Sequence, residues 1–410
     1  MFTHLLKLIF NQWKSNLWIM AELFISFVCI CFVFTGLIRL FHDRFRDLGF
    51  DINHVYEVSI GLESKVSTSF DSDSDRKEEI RILAERIRRY PGVEVVGISN
   101  NTGRPYTGDY SGVQCFRDTI RASAAYGKIT PEIVSVFKYQ PAGKHIDLRK
   151  EAEQGHWLVS RSVMKKLFGS DVAKGEITAR QGNEEKVIAV GVTTECARME
   201  YSEEPMGWRV VSEPQLLKER KGNVCMFIRV APEADHDFVN RFLKDMRSQL
   251  SVGNSMVTNL ASMSAIREEL LGLWGINSMY TLSYFLSSFF LLCAFLGVIS
   301  TFWFRAQSRT AEVGLRMAAG SDRKKVFQLM MGEGLLLFAL VWIPALVVVY
   351  LFRESLSSAF VVPFDSDNVA YLLWSILFST FVMVLLILVG TWYPARQASR
   401  INPVDALHYE

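Results

Sequence analysis

The sequence predicts an α-helical membrane protein with four transmembrane helices and one large α+β extracytoplasmic domain. Three observations predict this fold class. Four apolar runs each reach the roughly 20 residues that an α-helix needs to cross a ~30 Å hydrocarbon core. About 240 residues of ordinary soluble composition separate the first two runs. Alternating strand and helix patterns occur at both ends of that long stretch.

The apolar runs divide the chain into segments, and the first run is too long for a signal peptide. The predicted segments are a cytoplasmic segment (1–16), the first span (17–40), an outer domain with stalk helix ends (41–278), the second span (279–304), a cytoplasmic loop (305–328), the third span (329–352), a short outer loop (353–369), the fourth span (370–393) and a cytoplasmic tail (394–410).

The orientation follows from the basic residues near the span ends, because loops rich in Lys and Arg stay in the cytoplasm. The loop 305–328 carries six basic residues against two acidic ones. Arg39, Arg44 and Arg46 follow the first span on the opposite side, but long domains cross the membrane largely regardless of their charge. The net charge of +2 offers no basic field for phosphates, so we expect no nucleic-acid partner.

The two ends of the outer domain have the same plan. "VYEVSIGL" (55–62) reads as a strand, a helix follows with an apolar stripe from Ile80 to Ile87, and "VEVVGIS" reads as a second strand. "VCMFIRV" (224–230), a striped helix and "SMVTNL" repeat the pattern. Two βαβ units in one sheet predict a ferredoxin-like lobe over about 50–104 and 221–262.

An inserted lobe of mixed α+β structure is expected over about 105–220. It contains a short helix, "SRSVMKKLF", that Gly169 closes, and a hairpin candidate around "QGNEE". No catalytic set is evident, because His145 and His156 lie on different predicted elements and no nucleophile elbow occurs. Cys115, Cys196 and Cys225 lack zinc-site spacing, so we expect free thiols, although a pair among them stays open.

Apolar stripes continue past the first span and precede the second. Phe41, Phe45 and Leu48 extend the first span, and residues 17–48 as one helix would measure about 48 Å. The second stripe is formed by Ile266, Leu270 and Leu273, just before the second span. The stripes predict either interfacial helix ends that pack on the domain or a rigid stalk that carries movement.

Two carboxylates lie well inside the apolar runs, Glu22 and Glu333. Snorkelling, or pairing with loop arginines, explains both more simply than a proton relay does. Spans with so few ionisable side chains are poorly suited to form a pore.

The loop between the second and third spans, "RTAEVGLRMAAGSDRKK" (309–325), is basic and patterned. Thr310 to Ala319 predicts a short helix in which Glu312 precedes Arg316 by four residues. Gly320 ends this helix, and Ser321 caps a new helix that starts at Asp322. A basic helix resting on anionic lipid is the alternative interpretation.

The tail after Pro394 carries a second capped helix. Asn402 suits the N-cap, Pro403 the first helical position and Asp405 the third. Such a helix in the cytoplasm indicates docking onto a partner, and the tail residues with this expected role are Arg396, Arg400, Asn402, Pro403 and Asp405.

These two segments resemble a known family. "RTAEVGLRMAAGSDRKKVFQLMMGEGLLL" is similar to the cytoplasmic signature of FtsX-like permeases of the MacB type, the four-helix mechanotransmission family, and "PARQASRINPVDALHYE" resembles the family's ending. "ITPEIVSVFKYQPAGKHI" and "WLVSRSVMKKLFG" resemble its periplasmic core. The first span departs from the family, because it lacks a Gly-rich start and carries Glu22.

The resemblance implies a coupling helix that contacts a cytoplasmic ABC ATPase subunit. The implied contact residues are Glu312, Val313, Gly314, Arg316, Met317, Gly320 and Ser321. The chain contains no G-x-x-x-x-G-K-[ST] motif, so we expect it to bind no cofactor, with ATP and Mg²⁺ on a separate ATPase polypeptide. We therefore do not expect the chain itself to be an enzyme.

The implied function is that of a permease subunit that relays ATP-driven motion to its periplasmic domain to export or release a substrate. The implied setting is the bacterial inner membrane. The partners would be the ATPase, a second permease subunit in a homo- or heterodimer, membrane lipid, and as further candidates a periplasmic adaptor or outer-membrane duct. The alternative is a regulatory protein whose outer domain activates a cell-wall hydrolase or gates a sensor kinase. The substrate is not readable from the sequence.

Overall fold

A computed structural model of the chain describes residues 13–62, 73–193, 205–219, 224–308, 315, 322–359 and 369–398. The chain splits into two compact units, Met1–Asp43 with Asn277–Glu410, and Arg44–Ile276. Four helices of the first unit are long and apolar enough to cross a membrane. The second unit is a sheet-rich α+β domain. The predicted fold class is confirmed.

The helices and strands are named in chain order. They are α1 (Trp13–Phe45), β1 (Val55–Leu62), α2 (Asp73–Arg88), β2 (Val93–Asn100), β3 (Gly112–Arg117), β4 (Ile120–Ile129), α3 (Glu132–Val136), α4 (Leu148–Glu153), β5 (Trp157–Ser160), α5 (Arg161–Phe168), β6 (Lys174–Gln181), β7 (Asn183–Val192), β8 (Met206–Val210), α6 (Glu213–Glu219), β9 (Val224–Val230), α7 (Phe238–Asp245), β10 (Ser251–Val252), β11 (Ser255–Ser262), α8 (Met263–Leu273), α9 (Ile276–Ser308), α10 (Arg323–Ala359) and α11 (Val369–Ala398).

Spans 1 to 4 are α1, α9, α10 and α11, and each helix continues beyond its apolar run. The prediction that Pro394 ends span 4 is wrong, because α11 continues to Ala398. A proline inside a helix removes one backbone hydrogen bond, and membrane helices tolerate that loss where neighbouring groups compensate for it. Pro344 lies inside span 3 in the same way.

The apolar stripes beyond spans 1 and 2 do not continue those spans as single helices, so the stalk alternative in that continuous form does not fit the structure. Span 1 ends at Phe45 rather than at Leu48, and the Asp47 carboxylate then accepts the N–H of Gly49, whose φ is +72°. Before span 2, helix α8 ends at Leu273, and Gly275 has a φ of +69°. A residue with positive φ cannot continue a right-handed helix, so α8 and span 2 are separate helices.

The ferredoxin-like lobe is confirmed by its strand order. Its strands follow the order β11-β1-β9-β2, and every neighbouring pair is antiparallel. This is the order that two interleaved βαβ units produce. Helices α2 and α7 bury their stripes in one core with the sheet, which includes Ile80, Ile87, Phe238 and Phe242.

The inserted lobe is a closed ring of six strands, which the sequence did not predict. Strand β4 pairs with β3, and the ring continues through β6, β7, β5 and β8, which pairs with β4 again. Small residues such as Ala122, Ala124 and Ala179 fill the interior with α5. The predicted helix ending at Gly169 and the hairpin between β6 and β7 are both present, with φ of +70° at Gly169 and +97° at Gly182.

Candidate functional site

The predicted ATPase-contact residues lie outside the described residues. This applies to Glu312, Val313, Gly314, Arg316, Met317, Gly320 and Ser321, and to the tail residues Arg400, Asn402, Pro403 and Asp405. Leu315 is described, and it is helical and 62% exposed. The expected roles of these residues therefore stay predictions.

Span 3 begins directly after this loop. The Asp322 carbonyl accepts the N–H groups of Lys325 and Val326, and the helix starts at Arg323. Asp322 is therefore the N-cap, and the prediction that it is the first helical residue is wrong by one position. The N-cap carbonyl already accepts the first bond of a helix, which explains why the boundary moves.

Glu333 of span 3 pairs with Arg305 of span 2. The Arg305 guanidinium donates to Glu333 Oε1, and the two side chains are only 9% and 7% exposed. Pairing with a loop-side arginine is one of the two interpretations that the sequence favoured for Glu333. Removing one partner of such a buried pair leaves an uncompensated charge, which is costly.

Glu22 of span 1 contacts span 2 one turn away from that pair. Thr301 Oγ1 donates to Glu22 Oε2 over 2.5 Å. A Cβ added at Gly297 would lie 2.5 Å from Glu22 Oε1, so the missing side chain at residue 297 makes room for the carboxylate. Gly297, Thr301 and Arg305 are spaced by four residues and therefore share one face of span 2.

Span 4 closes the bundle at the same end. Thr391 Oγ1 donates to the Ile387 carbonyl of its own helix and lies 3.0 Å from the Met331 sulfur of span 3, and the rings of Trp303 and Tyr393 stack with centroids 5.5 Å apart. Gly334 lies against Phe302, whose ring would be 3.0 Å from an added Cβ. We call the end of the spans that adjoins residues 309–321 the loop end. Close glycine contacts of this kind let membrane helices pack tightly.

Arg396 is the one predicted tail residue within the described ranges. Its guanidinium lies 5.2 Å from the ring centroid of Trp392, one turn earlier on span 4. An arginine over an indole is a cation–π contact, and tryptophan and arginine together are typical of a membrane–water interface. Contact of Arg396 with a partner stays a prediction.

The outer domain offers no metal site within the described residues, where no group of three His, Cys, Asp or Glu side chains could hold an ion. His156 bonds to Glu151, whose pKa is lowered by the hydrogen bond from Lys174 and by His156. Cys115 and Cys225 are free thiols. Burial raises their pKa values to about 11 and about 12, so both stay protonated at neutral pH.

A buried arginine holds the domain's entry segment. Arg229 of β9 is 2% exposed and donates to the carbonyls of Asp51, Asn53 and Val136. Its Nη1 also lies 3.3 Å from the Asp51 carboxylate. The chain that follows span 1 is thus bonded to the ferredoxin-like lobe and to α3 through one side chain.

Comparison with known families bears on the membrane helices. Residues 284–403 match the family described as FtsX-like permease C-terminal. This part of the chain is thus similar to an FtsX-like permease domain. Gly297, Thr301, Arg305, Glu333 and Thr391 all lie within the matched range, whereas Glu22 of span 1 precedes it.

Two curated relatives are similar over part of the chain. The pyoverdine export ATP-binding/permease protein PvdT of Pseudomonas entomophila is 22% identical over 258 residues, which is 62% of this chain and 35% of that protein. The macrolide export ATP-binding/permease protein MacB of Rhodopirellula baltica is 30% identical over 114 residues, 28% of this chain and 16% of that protein. The alignments thus span about a third or less of either relative.

Two solved structures are similar to about half of the chain. The extracellular domain of the noncanonic ABC-type transporter YknZ from Gram-positive bacteria is 12% identical and covers 50% of this chain and 100% of its own, with a TM-score of 0.30. A domain of a putative permease protein from Porphyromonas gingivalis is 13% identical and covers 51% of this chain and 89% of its own, with a TM-score of 0.26.

Sequence reasoning found Glu22 and Glu333 and offered loop arginines as their partners, but it did not choose Arg305 among those arginines and it missed the hydroxyl partner of Glu22. Arg305 was used only for orientation, and Thr301 and Gly297 were not singled out. The signal that could have found them is the four-residue spacing of a small, a hydroxyl and a basic residue within an otherwise apolar helix.

Proposed function

We propose that this chain is the permease subunit of an ABC-type mechanotransmission transporter that exports or releases a substrate. The observation that carries the proposal is the FtsX-like match over residues 284–403, which contains the predicted coupling segment and the helices on both sides of it. The names of the two relatives, which combine export with an ATP-binding/permease protein, support it.

In this mechanism a separate ATPase subunit binds ATP and Mg²⁺ and grips the 309–321 segment. The chain supplies no phosphate-binding motif of its own. Closure of the ATPase displaces the coupling segment, spans 2 and 3 move with it, and the outer domain changes its arrangement. The ATPase can drive this change only if it binds the two states of the permease with different affinity.

The proposed assembly contains two permease subunits, because two docking sites suit two ATPase subunits. Its location is the bacterial inner membrane with the outer domain in the periplasm, as the basic loop 305–328 favours. A periplasmic adaptor or an outer-membrane duct is a further proposed partner. The mechanical role needs no enzymatic activity of the chain itself.

Purification of the tagged full chain from its own host in detergent tests the proposal. An ATP-hydrolysing subunit should co-purify with it. Glu312→Ala and Arg316→Ala should each lower ATP hydrolysis by the complex while the circular dichroism of the chain stays unchanged. Lys324→Ala, a change at an exposed basic residue just inside span 3, is the matched control and should have little effect.

Two results would contradict the proposal. One is unchanged ATP hydrolysis in both the Glu312 and the Arg316 variants. The other is ATP hydrolysis by the purified chain without any partner. A stoichiometric cell-wall hydrolase or sensor kinase in the purified complex, with no ATPase, would instead favour the regulatory alternative.

A further inference from the structure

The ion pair at the loop end joins the two helices between which the predicted coupling segment lies. Arg305 is about one helical turn before residue 309, and Glu333 is about three turns after residue 321. The pair therefore closes the base of this loop. The burial of the two side chains shows that they do not serve the aqueous surface.

We propose that Arg305 and Glu333 are positioning residues that clamp the base of the loop, so that a push on residues 309–321 moves spans 2 and 3 as one body. The Thr301–Glu22 hydrogen bond, one turn further along span 2, then passes the movement to span 1. The role in coupling rests on the proposed function, whereas the clamp itself does not.

The lipid environment gives the physical reason for such a clamp. Lipid tails are as apolar as the helices, so no hydrophobic force holds two spans together, and packing and interhelical polar contacts decide which helices move together. Between spans 2 and 3, Gly334 supplies the close packing and Arg305–Glu333 supplies the polar contact. Without these contacts, a force on residues 309–321 would move spans 2 and 3 relative to each other.

Span 1 contacts span 2 next to the clamp through a closely fitted hydrogen bond. Glu22 can reach Thr301 because residue 297 has no side chain. Span 1 is also the helix whose chain continues into the outer domain, where Arg229 holds residues 51 and 53. Movement of span 2 therefore either carries span 1 along or breaks the Thr301–Glu22 bond.

An ion or proton pathway is the competing explanation for buried carboxylates. Such a pathway needs carboxylates that face a water-filled cavity. The cavity lined by Arg305, Glu333 and Thr391 offers water a volume of about 10 Å³. One water is the most that such a space can hold, so a clamp accounts for the pair better than a conduit does.

A distance measurement across the loop base tests the clamp without any partner. Spin labels are placed on the full chain at Phe304→Cys and Lys324→Cys, both exposed positions, with the exposed Cys293 changed to Ser, in lipid nanodiscs. The expected result is a narrow distance distribution that Glu333→Gln shifts to a broad one. The Arg305→Glu/Glu333→Arg exchange should restore the narrow one, and Thr301→Val should leave it narrow.

A second measurement tests coupling in the co-purified complex. Labels at Leu17→Cys on span 1 and Phe304→Cys on span 2, with Cys293 again Ser, should show an ATP-induced shift. Glu333→Gln should retain the bound ATPase and its ATP hydrolysis but lose the shift, and the charge exchange should recover it. A purely structural role would lower hydrolysis and shift together.

The outcomes separate the two proposals. The clamp is overturned if the distance distribution in Glu333→Gln is as narrow as in the wild type. It is also overturned if the distribution in Arg305→Glu/Glu333→Arg is as broad as in Glu333→Gln. An intact shift in Glu333→Gln overturns its role in coupling. If no ATPase co-purifies, or ATP induces no shift in the wild-type complex, the proposed function fails, and the partner-free measurement still decides the clamp.

Discussion

The two halves of span 2 use their polar side chains in opposite ways. In the far half, residues 276–291, the hydroxyls of Thr281, Ser287 and Ser288 each donate to a carbonyl four residues earlier on the same helix. In the loop-end half, residues 292–308, Thr301 and Arg305 donate to other helices. These side chains thus form intrahelical hydrogen bonds in the far half of span 2 and interhelical hydrogen bonds in the loop-end half.

The two halves also differ in how many apolar side chains they bury: among the described residues, Tyr280 alone is buried in the far half, whereas Ala294, Val298 and Phe302 are buried in the loop-end half. Leu282 and Phe285 in the far half are 57% and 68% exposed, whereas Val298 and Phe302 in the loop-end half are buried among spans 1, 3 and 4. The specific contacts of span 2 with the other spans are therefore concentrated where the predicted coupling segment begins and ends. Four sets of variants test this contrast.

The largest expected effect is on the buried ion pair. Glu333→Gln should lower the free energy of unfolding of the membrane unit by about 3–5 kcal/mol, because Arg305 keeps a buried charge without its counter-ion. Unfolding by denaturant in mixed micelles measures it. The double change Arg305→Met/Glu333→Met removes both charges and should cost much less. If Glu333→Gln were as stable as the wild type, the ion pair would not stabilise the loop-end half of the bundle, and the contrast between the two halves would be wrong.

The next largest effect is expected for a buried arginine outside the membrane spans, and it shows how much of the cost comes from burial alone. The Arg229 side chain, 3% exposed, is more deeply buried than the Arg305 side chain, 9% exposed, but it lies in the outer domain with carbonyl partners. Arg229→Met should weaken the domain by about 2–3 kcal/mol, since hydrogen bonds to a charged group are lost. Faster hydrogen exchange at residues 51–53 and 137 measures it. Arg247→Met, at an exposed position, is the control, and equal exchange in both variants would count against the prediction.

A glycine pair tests the close contact of spans 1 and 2. Gly297→Ala should destabilise the bundle by about 1–3 kcal/mol, because the new methyl group would displace the Glu22 carboxylate. Gly36→Ala on span 1 meets no atom within 4 Å and should cause no loss. Thermal unfolding in detergent distinguishes the two, and equal melting temperatures would show that the carboxylate does not depend on residue 297.

The smallest effect compares two threonines of the same helix. Thr301→Val should cost about 0.6 kcal/mol, the average for an interhelical hydrogen bond in a membrane protein. Thr281→Val removes a hydroxyl that bonds within its own helix and should cost less. Both are measured by the same unfolding titration as Glu333→Gln. A larger loss for Thr281 would reverse the proposed division of span 2.

Local patterns predicted many single elements because their causes are local. The alternation in "VYEVSIGL" and "VCMFIRV" placed β1 and β9 at the same bounds that the structure gives, and the stripe from Ile80 to Ile87 is buried as expected. Positive φ at Gly169 follows from the absence of a Cβ, so the end of α5 was readable as well.

Non-local decisions account for the errors. The apolar stripe continues in the sequence to Leu48, but span 1 ends at Phe45. The turn formed by Asp47 and Gly49 ends the helix there despite the stripe. The stripe of Ile266, Leu270 and Leu273 gives no sign that Gly275 separates it from span 2. The spacing of apolar residues predicts which face of a helix each residue would occupy, but it does not predict where the helix ends.

The four spans, the α+β domain and the two unusual carboxylates were readable from the sequence, since length, hydropathy and period are properties of neighbouring residues. The closure of six strands into a ring, and the contacts of Glu22 with Thr301 and of Glu333 with Arg305, became visible in the folded chain alone. Those pairings join residues up to 279 positions apart, and no local pattern encodes which distant groups come together when the chain packs.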